Sequence, residues 1–485
     1  VRTLAIKYRD PRKLKPRLKN PRTHTPRQIK QIAASIQEFG FISPVLIDGS
    51  DCIVAGHARV AAAKSLGMTD VPAVRVDHLS PIQIRAYVIA DNRLAEKAGW
   101  DSKLLALELQ ELSVQPNFDV TVTGFEMAEI DLTIGEASEN EPDEADAIPE
   151  VDRSLPPITR PGDYWQIGTH FLLCGDALRP HSYERLLRGK RAQMVFTDPP
   201  YNVRIAGNVS GLGKNRHREF AMASGEMTRQ QFTNFLRRAL TNLAEFSVDG
   251  SIHFVCMDWR HIRELADAAD DAYTEIKNIC VWSKSNAGMG SLYRSAHEFI
   301  FVYKNGRAKH INNVELGRFG RNRTNIWQYA GMNSFGKDRD STLADHPTPK
   351  PLALVSDALL DCSKRGGIVL DAFAGSGTTL LAAEKTGRRG YGIELDSHYV
   401  DLIIRRFEEV YGLRAIHVES DLSFDRIRVK RTERNNNGEA DSINARGKKS
   451  DGRKLVRKKA NTSRKPNGRQ KSFSRKEKSF SREER

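Results

Sequence analysis

Cysteine is scarce in this 485-residue chain: its five copies (Cys52, Cys174, Cys256, Cys280 and Cys362) are scattered, odd in number and never spaced as metal ligands. That argues against a disulfide-framed secreted fold and against structural zinc, and leads to the expectation of a reduced, cytoplasmic protein. No apolar run approaches the ~20 residues of a membrane span, and no signal-type stretch opens the sequence, so no membrane partner is expected. The body of the chain also lacks any excess of charge. Residues 426–485 hold 22 of the 76 Lys and Arg but only 7 of the 61 Asp and Glu, which leaves 54 of each sign elsewhere and places the whole +15 in the tail. That tail has few apolar residues and no helical period, so it is expected to be disordered. A basic arm of this kind raises affinity for nucleic acid in a salt-dependent way, although a tail that only solubilises has the same composition.

What is present exceeds one ordinary domain, and two or three are expected from the length. The most informative stretch is Thr197-Asp198-Pro199-Pro200-Tyr201, which ends the apolar run Met194-Val195-Phe196. A short strand that stops at an acid and two prolines runs out into a loop. Pro199 pushes Asp198 toward an extended backbone, and neither proline has an N–H to donate. The place is therefore rich in acceptors, with an aromatic ring beside them. Acceptors able to grip the hydrogens of an amino group, next to a ring that stacks, suit chemistry on the exocyclic amine of a nucleobase. The plainer alternative is a Pro-rich turn carrying a surface tyrosine.

A second stretch, Gly366 to Thr379, reads as a turn, a buried strand (Ile368-Val369-Leu370-Asp371), a glycine-rich loop (Phe373-Ala374-Gly375-Ser376-Gly377) and a helix start. Glycines at such a turn let the backbone approach a ligand closely. No lysine follows the loop as in a Walker sequence, and the third glycine of the dinucleotide fingerprint is missing. A further strand then ends in an acid, Gly390-Tyr391-Gly392-Ile393-Glu394, placed to take the two hydroxyls of a ribose.

Together, Asp198-Pro199-Pro200-Tyr201 and Phe373-Ala374-Gly375-Ser376-Gly377 resemble the amino-group DNA methyltransferases, which make N6-methyladenine or N4-methylcytosine from S-adenosylmethionine. The catalytic motif precedes the cofactor loop, as in the circularly permuted beta group of that family. Cys174-Gly175-Asp176, Val281-Trp282-Ser283-Lys284, Tyr293 to Glu298 and His346 to Pro351 agree with it in order, over about Gly162 to Gly412. The resemblance implies a Rossmann-like α/β methyltransferase domain over residues 161–415. It implies a catalytic set of Asp198, Pro199, Pro200 and Tyr201. Cofactor binding would fall to Asp176, Lys350, Asp371, Phe373, Gly375, Gly377, Thr378 and Glu394, with Thr378 or Lys350 toward the methionine end, and no metal is implied. Asp at position 198 resembles the adenine enzymes, whereas many cytosine-N4 enzymes carry Ser there.

Residues 1–110 form a smaller α/β unit. Ile29, Ile32, Ala33 and Ile36 share one face of a helix predicted over Pro26–Phe39, and a hairpin is predicted around Gly49-Ser50-Asp51. Gly56-His57-Ala58-Arg59 at a strand-to-helix turn and Ala90 to Leu94 resemble the ParB-like N-terminal domain, in which a nucleotide or phosphate lies near the equivalent loop. The resemblance makes His57 and Arg59 candidate DNA or phosphate contacts, with local pairing of Arg59 as the alternative. Residues 111–160 are expected to be a helical connector and an acidic flexible linker. The basic Gly-rich stretch 202–228 reads as a mobile loop able to close over DNA, with a disordered surface loop as the alternative. Residues 304–345 occupy the place of the family's target-recognition segment, with Arg318, Arg321 and Arg323 as candidate base readers beside Trp327 and Tyr329. The expected partner is double-stranded DNA, with homodimer formation and a companion restriction enzyme left open. The rival readings are a ParB-like DNA-binding regulator with an inactive methylase unit, and methylation of RNA or of protein glutamine.

Overall fold

The computed structural model describes residues 4–18, 20–113, 115, 118–138, 146, 148–149, 153–202, 225–284, 292–314, 323–329 and 350–433. The basic stretch 203–224, Arg318, Arg321, the lead-in 346–349 and nearly all of the tail lie outside the described residues.

The N-terminal part is built from β1 (Ile6–Arg9), α1 (Pro26–Phe39), β2 (Val45–Ile47), β3 (Ile53–Ala55), α2 (His57–Ser65), β4 (Val71–Arg75) and α3 (Pro81–Ala95). Its sheet runs β1-β4-β2-β3, with β2 and β3 as the expected antiparallel hairpin and β2 parallel to β4. Thr25 caps α1 through Gln28 N, with Pro26 in the first turn where its missing N–H costs nothing. Gly56 precedes α2 at φ 96°, and a Cβ there would stand 2.9 Å from Val45 Cγ1, so this turn admits glycine alone. Two helices follow, α4 (Ser102–Ser113) and α5 (Met127–Ser138), closing on Leu109, Val120 and Ile130.

The second part adds β5 (Tyr164–Ile167), β6 (His170–Cys174), α6 (Pro180–Leu187), β7 (Ala192–Thr197), α7 (Arg229–Glu245), β8 (Ser247–Met257), α8 (Ile262–Ala269), β9 (Glu275–Ser283), β10 (His297–Lys304) and β11 (Ile326–Gln328). After these come α9 (Leu352–Cys362), β12 (Ile368–Asp371), α10 (Thr378–Lys385), β13 (Arg389–Glu394), α11 (Ser397–Tyr411), β14 (Ala415–His417) and β15 (Leu422–Ser423). One sheet holds all the strands, in the order β11-β9-β10-β8-β7-β12-β13-β6-β5-β14-β15. Its centre, β8-β7-β12-β13-β6, is parallel. Period-two alternation sends Met194 and Phe196 to one face, against Val355, Leu381 and Ile403 of α9, α10 and α11. Val195 goes to the other, against Leu186, Leu236 and Leu265 of α6, α7 and α8. Helices thus cover both faces of a parallel centre, the doubly wound arrangement. This is the expected Rossmann-like fold.

The stretch read as a flexible acidic linker needs correction. Among its described residues, Asp146 accepts Leu352 N at 2.8 Å and so caps α9. Ile148 is buried against Tyr399 and Leu402. Arg153 meets Asp396 at 3.0 Å, and the Asp401 carboxylate takes Ile158 N and Thr159 N at 2.6 and 3.0 Å. Further back, Asp131 on α5 is buried between Arg365 and Arg388, at 2.9 and 2.8 Å. Among the described residues, Asp146 is the acid of this stretch that caps, and the carboxylates that hold the stretch in place, Asp396 and Asp401, belong to the N-cap and body of α11.

Candidate functional site

Strands β6, β13, β12 and β7 lie side by side and point the same way, so their C-terminal ends share one edge. Each delivers an acid at or just past that edge: Asp176, Glu394, Asp371 and Asp198. The chain reaches β7 from β6 by passing over the positions later filled by β12 and β13, and ligands of open α/β sheets bind at such switch points. A cleft of about 1040 Å³, open mouth included, lies there. Asp198, Pro199, Pro200 and Tyr201 line it together with Phe373, Gly375, Thr378, Glu394 and Tyr399, with Lys350 and Asp371 also on its wall.

The four acids do different work. Glu394 accepts Gly375 N through Oε2 and Asp396 N through Oε1, both at 2.8 Å, and burial pushes its carboxyl up to about 7. Held from behind in this way, it keeps lone pairs for hydroxyl donors in the cleft. Asp371 accepts Thr197 Oγ1 at 2.8 Å and Phe373 N at 3.1 Å, and burial lifts it to about 6; it ties β7 to β12 beneath the glycine loop. Asp176 spends Oδ1 on Leu178 N at 2.9 Å and Oδ2 on Arg179 at 3.2 Å, while its neighbours Gly175 and Ala177 line the cleft. Asp198 accepts Tyr201 Oη at 2.6 Å on Oδ1 and Lys350 Nζ at 2.6 Å on Oδ2.

Gly375, at φ 51°, lies on the cleft wall. Gly377 serves packing instead: it caps α10 at φ 85°, and a Cβ there would come within 2.7 Å of Ile403 Cγ1 on α11. Lys350, one of the alternatives with Thr378 for the methionine end of a cofactor, lines the cleft, and its ammonium is buried between Asp198, Glu298 (3.0 Å) and the Tyr201 hydroxyl (3.3 Å). Burial opposes its charge, yet the two carboxylates outweigh that and raise its pKa.

Arg323 is a further correction. Its guanidinium meets Asp357 at 2.7 Å and Asp361 at 2.8 Å, both on α9, and lies 4.9 Å over Trp327. Trp327 is in the core and the Tyr329 hydroxyl bonds Asp357. These side chains hold β11 to α9 and are unavailable to read bases. His57 and Arg59 line a separate groove with Arg22, His24 and Asn92. There Arg59 donates to Ser43 O at 2.7 Å, the local pairing weighed as the alternative, and His57 accepts Arg17 N at 3.4 Å, with burial lowering the pKa of both.

Two residues escaped assignment from the sequence. Glu298 is buried at the start of β10, bonded to Lys284, and the pull of Lys350 and Lys284 overrides burial to bring it down to about 2. Its signal was a lone acid in the otherwise apolar Glu298-Phe299-Ile300-Phe301-Val302. Asn202, at φ 52°, accepts Gly225 N at 3.0 Å and Met227 N at 3.2 Å, pinning together the two ends of the stretch that follows Tyr201.

The family described as DNA methylase matches residues 192–405, which run from the first residue of β7 into α11 and so contain Asp198, the glycine loop and Glu394. Residues 192–405 are a DNA methylase domain. The ParB N-terminal domain family matches residues 2–92, and the ParB-methyltransferase HTH domain family matches 103–161, which takes in the connector and the acidic stretch. The chain is 25% identical over 228 residues to the type II methyltransferase M2.MboI of Moraxella bovis, covering 45% of this chain and 81% of that one. It is 24% identical over 234 residues to M2.DpnII of Streptococcus pneumoniae, covering 46% and 84%. Among solved structures, the PvuII DNA methyltransferase (cytosine-N4-specific) aligns with a TM-score of 0.38 and 16% identity, over 56% of this chain and 92% of that one. Among the described residues no group of His, Cys, Asp or Glu is placed to hold a metal, and no helix is long and apolar enough to cross a membrane.

Proposed function

We propose that this protein methylates the exocyclic N6 of adenine at a specific site in double-stranded DNA, with S-adenosylmethionine as methyl donor. The single observation that carries the reading is one cleft lined both by the Asp198 carboxylate with its two prolines and by the Gly375 loop with Glu394. The residues fit the donor. Gly375 offers bare backbone, Glu394 presents a carboxylate suited to ribose hydroxyls, and Phe373 and Tyr399 offer apolar surface for an adenine ring. When bound, the donor supplies an electrophilic methyl group on a sulfonium.

The chain's own residues do the rest. A base must leave the duplex to be reached, and the Tyr201 ring provides a face on which it stacks. Asp198 and the Pro199 carbonyl accept the amino hydrogens, which localises the nitrogen lone pair toward the cleft. Orientation and fixed acceptors supply the acceleration, without a covalent enzyme intermediate. Asp at position 198 supports adenine, by its resemblance to the adenine enzymes. The ParB-type and HTH modules support a duplex DNA partner. The test is base-resolved modification sequencing of DNA from cells expressing the chain, with Asp198→Ala as control. N6-methyladenine in a fixed motif, absent in the control, is expected. N4-methylcytosine would keep the mechanism and overturn the base, and no mark on either base would overturn the reading.

A further inference from the structure

Two lysines and two carboxylates surround the amine-accepting position. Lys350 Nζ touches Asp198 Oδ2 at 2.6 Å, Glu298 Oε2 at 3.0 Å and Tyr201 Oη at 3.3 Å, and Lys284 holds the other oxygen of Glu298. The Lys350 and Glu298 side chains are only 4% and 8% exposed. Such a buried pair adds little net stability over an apolar core, so stability alone is a poor account of it. Chemically it is odd as well, because a cation on Asp198 occupies the oxygen that should accept the target amine.

An ammonium group and an exocyclic amine are alike in one respect: each points N–H donors at a carboxylate. We propose that Lys350 is a place-holder, filling the amine's position on Asp198 while the site is empty, and that Glu298 is the positioning carboxylate to which Lys350 is handed when a base enters. The inference rests on Asp198 being the amine acceptor. No covalent bond changes in the handover. One N–H···O contact to Asp198 is exchanged for the amine's, and Lys350 tightens on an oxygen it already touches. Asp198, Glu298, Lys284 and Lys350 carry no net charge between them before or after. The other titratable groups facing the cluster are Tyr201 and Cys256, both kept neutral by burial, and Asp371.

The experiment uses the full chain and a duplex oligonucleotide carrying the site found by sequencing, with kcat and KM for DNA measured from pH 6 to 9.5. Lys350→Met leaves two neighbouring carboxylates without their shared cation, and such pairs retain a proton. Its kcat should therefore gain an acid limb, with a loss of about tenfold per pH unit below the new midpoint. Lys350→Arg keeps the charge and should show no limb. Glu298→Gln strands the ammonium on Asp198, so kcat should fall about ten- to a hundredfold at every pH with cofactor affinity unchanged. The double variant frees Asp198 again and should exceed Glu298→Gln in kcat, a coupling that a structural role does not generate. Parallel pH profiles for wild type and Lys350→Met, or additive losses in the cycle, overturn the handover. Should Lys350→Met fail to bind cofactor, Lys350→Arg and Glu298→Gln, which preserve volume, carry the test: an unchanged kcat in Glu298→Gln overturns it. An active Asp198→Ala would instead overturn the role of Asp198 itself.

Discussion

Lys350, which is buried, and Arg323, which is partly buried, both bridge two carboxylates and both flank α9, yet they do opposite jobs. Arg323 takes its partners from one helix, Asp357 and Asp361, four residues apart and so on one face. A planar guanidinium with both carboxylates on one rigid element is a staple. Lys350 takes its partners from two separate strands, Asp198 just past β7 and Glu298 at the start of β10, and they meet at a cleft. Partners drawn from distant chain segments around one ammonium are what the proposed handover requires and a staple does not. The origin of the partners separates scaffold from site better than the residue types do.

That contrast can be broken by mutation. The largest effect should come from Asp198→Ala. Transfer should drop by ~10³-fold or more, as when a central transition-state contact is lost, with cofactor binding retained by calorimetry. Next is Arg323→Met, which leaves Asp357 and Asp361 without their cation. Denaturant unfolding should show a loss of about 3 kcal/mol, while the folded fraction keeps its kcat. An Arg323→Met protein that is stable but inactive would erase the distinction.

A third effect is set by pH. Burial raises Glu394 from the ordinary range to about 7 in the folded protein. Between the unfolded value near 4.5 and about 7, the folded state holds a proton the unfolded chain has shed, so this contribution to stability is lost as pH rises through that window. Ribose hydroxyls favour the ionised carboxylate. Cofactor affinity should therefore improve by up to about tenfold per unit below pH 7 and level off above it, and Glu394→Gln should flatten the curve in calorimetric titrations. The smallest effect is Asp146→Ala, which removes a helix cap and should cost about 1 kcal/mol in thermal unfolding, with kinetics preserved.

The strand-end acids and the glycine loop were readable because each is local: a run of apolar residues, then an acid or a turn, within about a dozen positions. Glu298 and Lys350 were quoted for their place in a motif and not for their pairing, since nothing in a linear pattern says that residues 198, 298 and 350 share one ion pair. Arg323 misled for the same reason. An arginine in a polar stretch looks free until α9 is folded beside it. The stretch before residue 160 looks slack because composition averages over partners, and the contacts that fix its C-terminal part, Arg153 with Asp396 and Ile158 N with Asp401, join positions more than 240 residues apart. Gly377 was read by type as a ligand-approach glycine, although the space it leaves is filled by Ile403.

The Asp131 junction bears on where this molecule can be cut. Asp131 lies inside the HTH module, whereas its two arginine partners, buried Arg388 and half-buried Arg365, belong to the methylase side. Cutting at residue 160 would leave Arg388, 1% exposed here, without its carboxylate, and would strip α9 of the Asp146 cap and Tyr399 of its Ile148 cover. A catalytic fragment cut there would therefore lose the Asp131 carboxylate from beside a buried guanidinium. The smallest piece expected to keep its native edges begins ahead of α5, so the seam visible in the sequence and the seam at which the protein can be divided are different places.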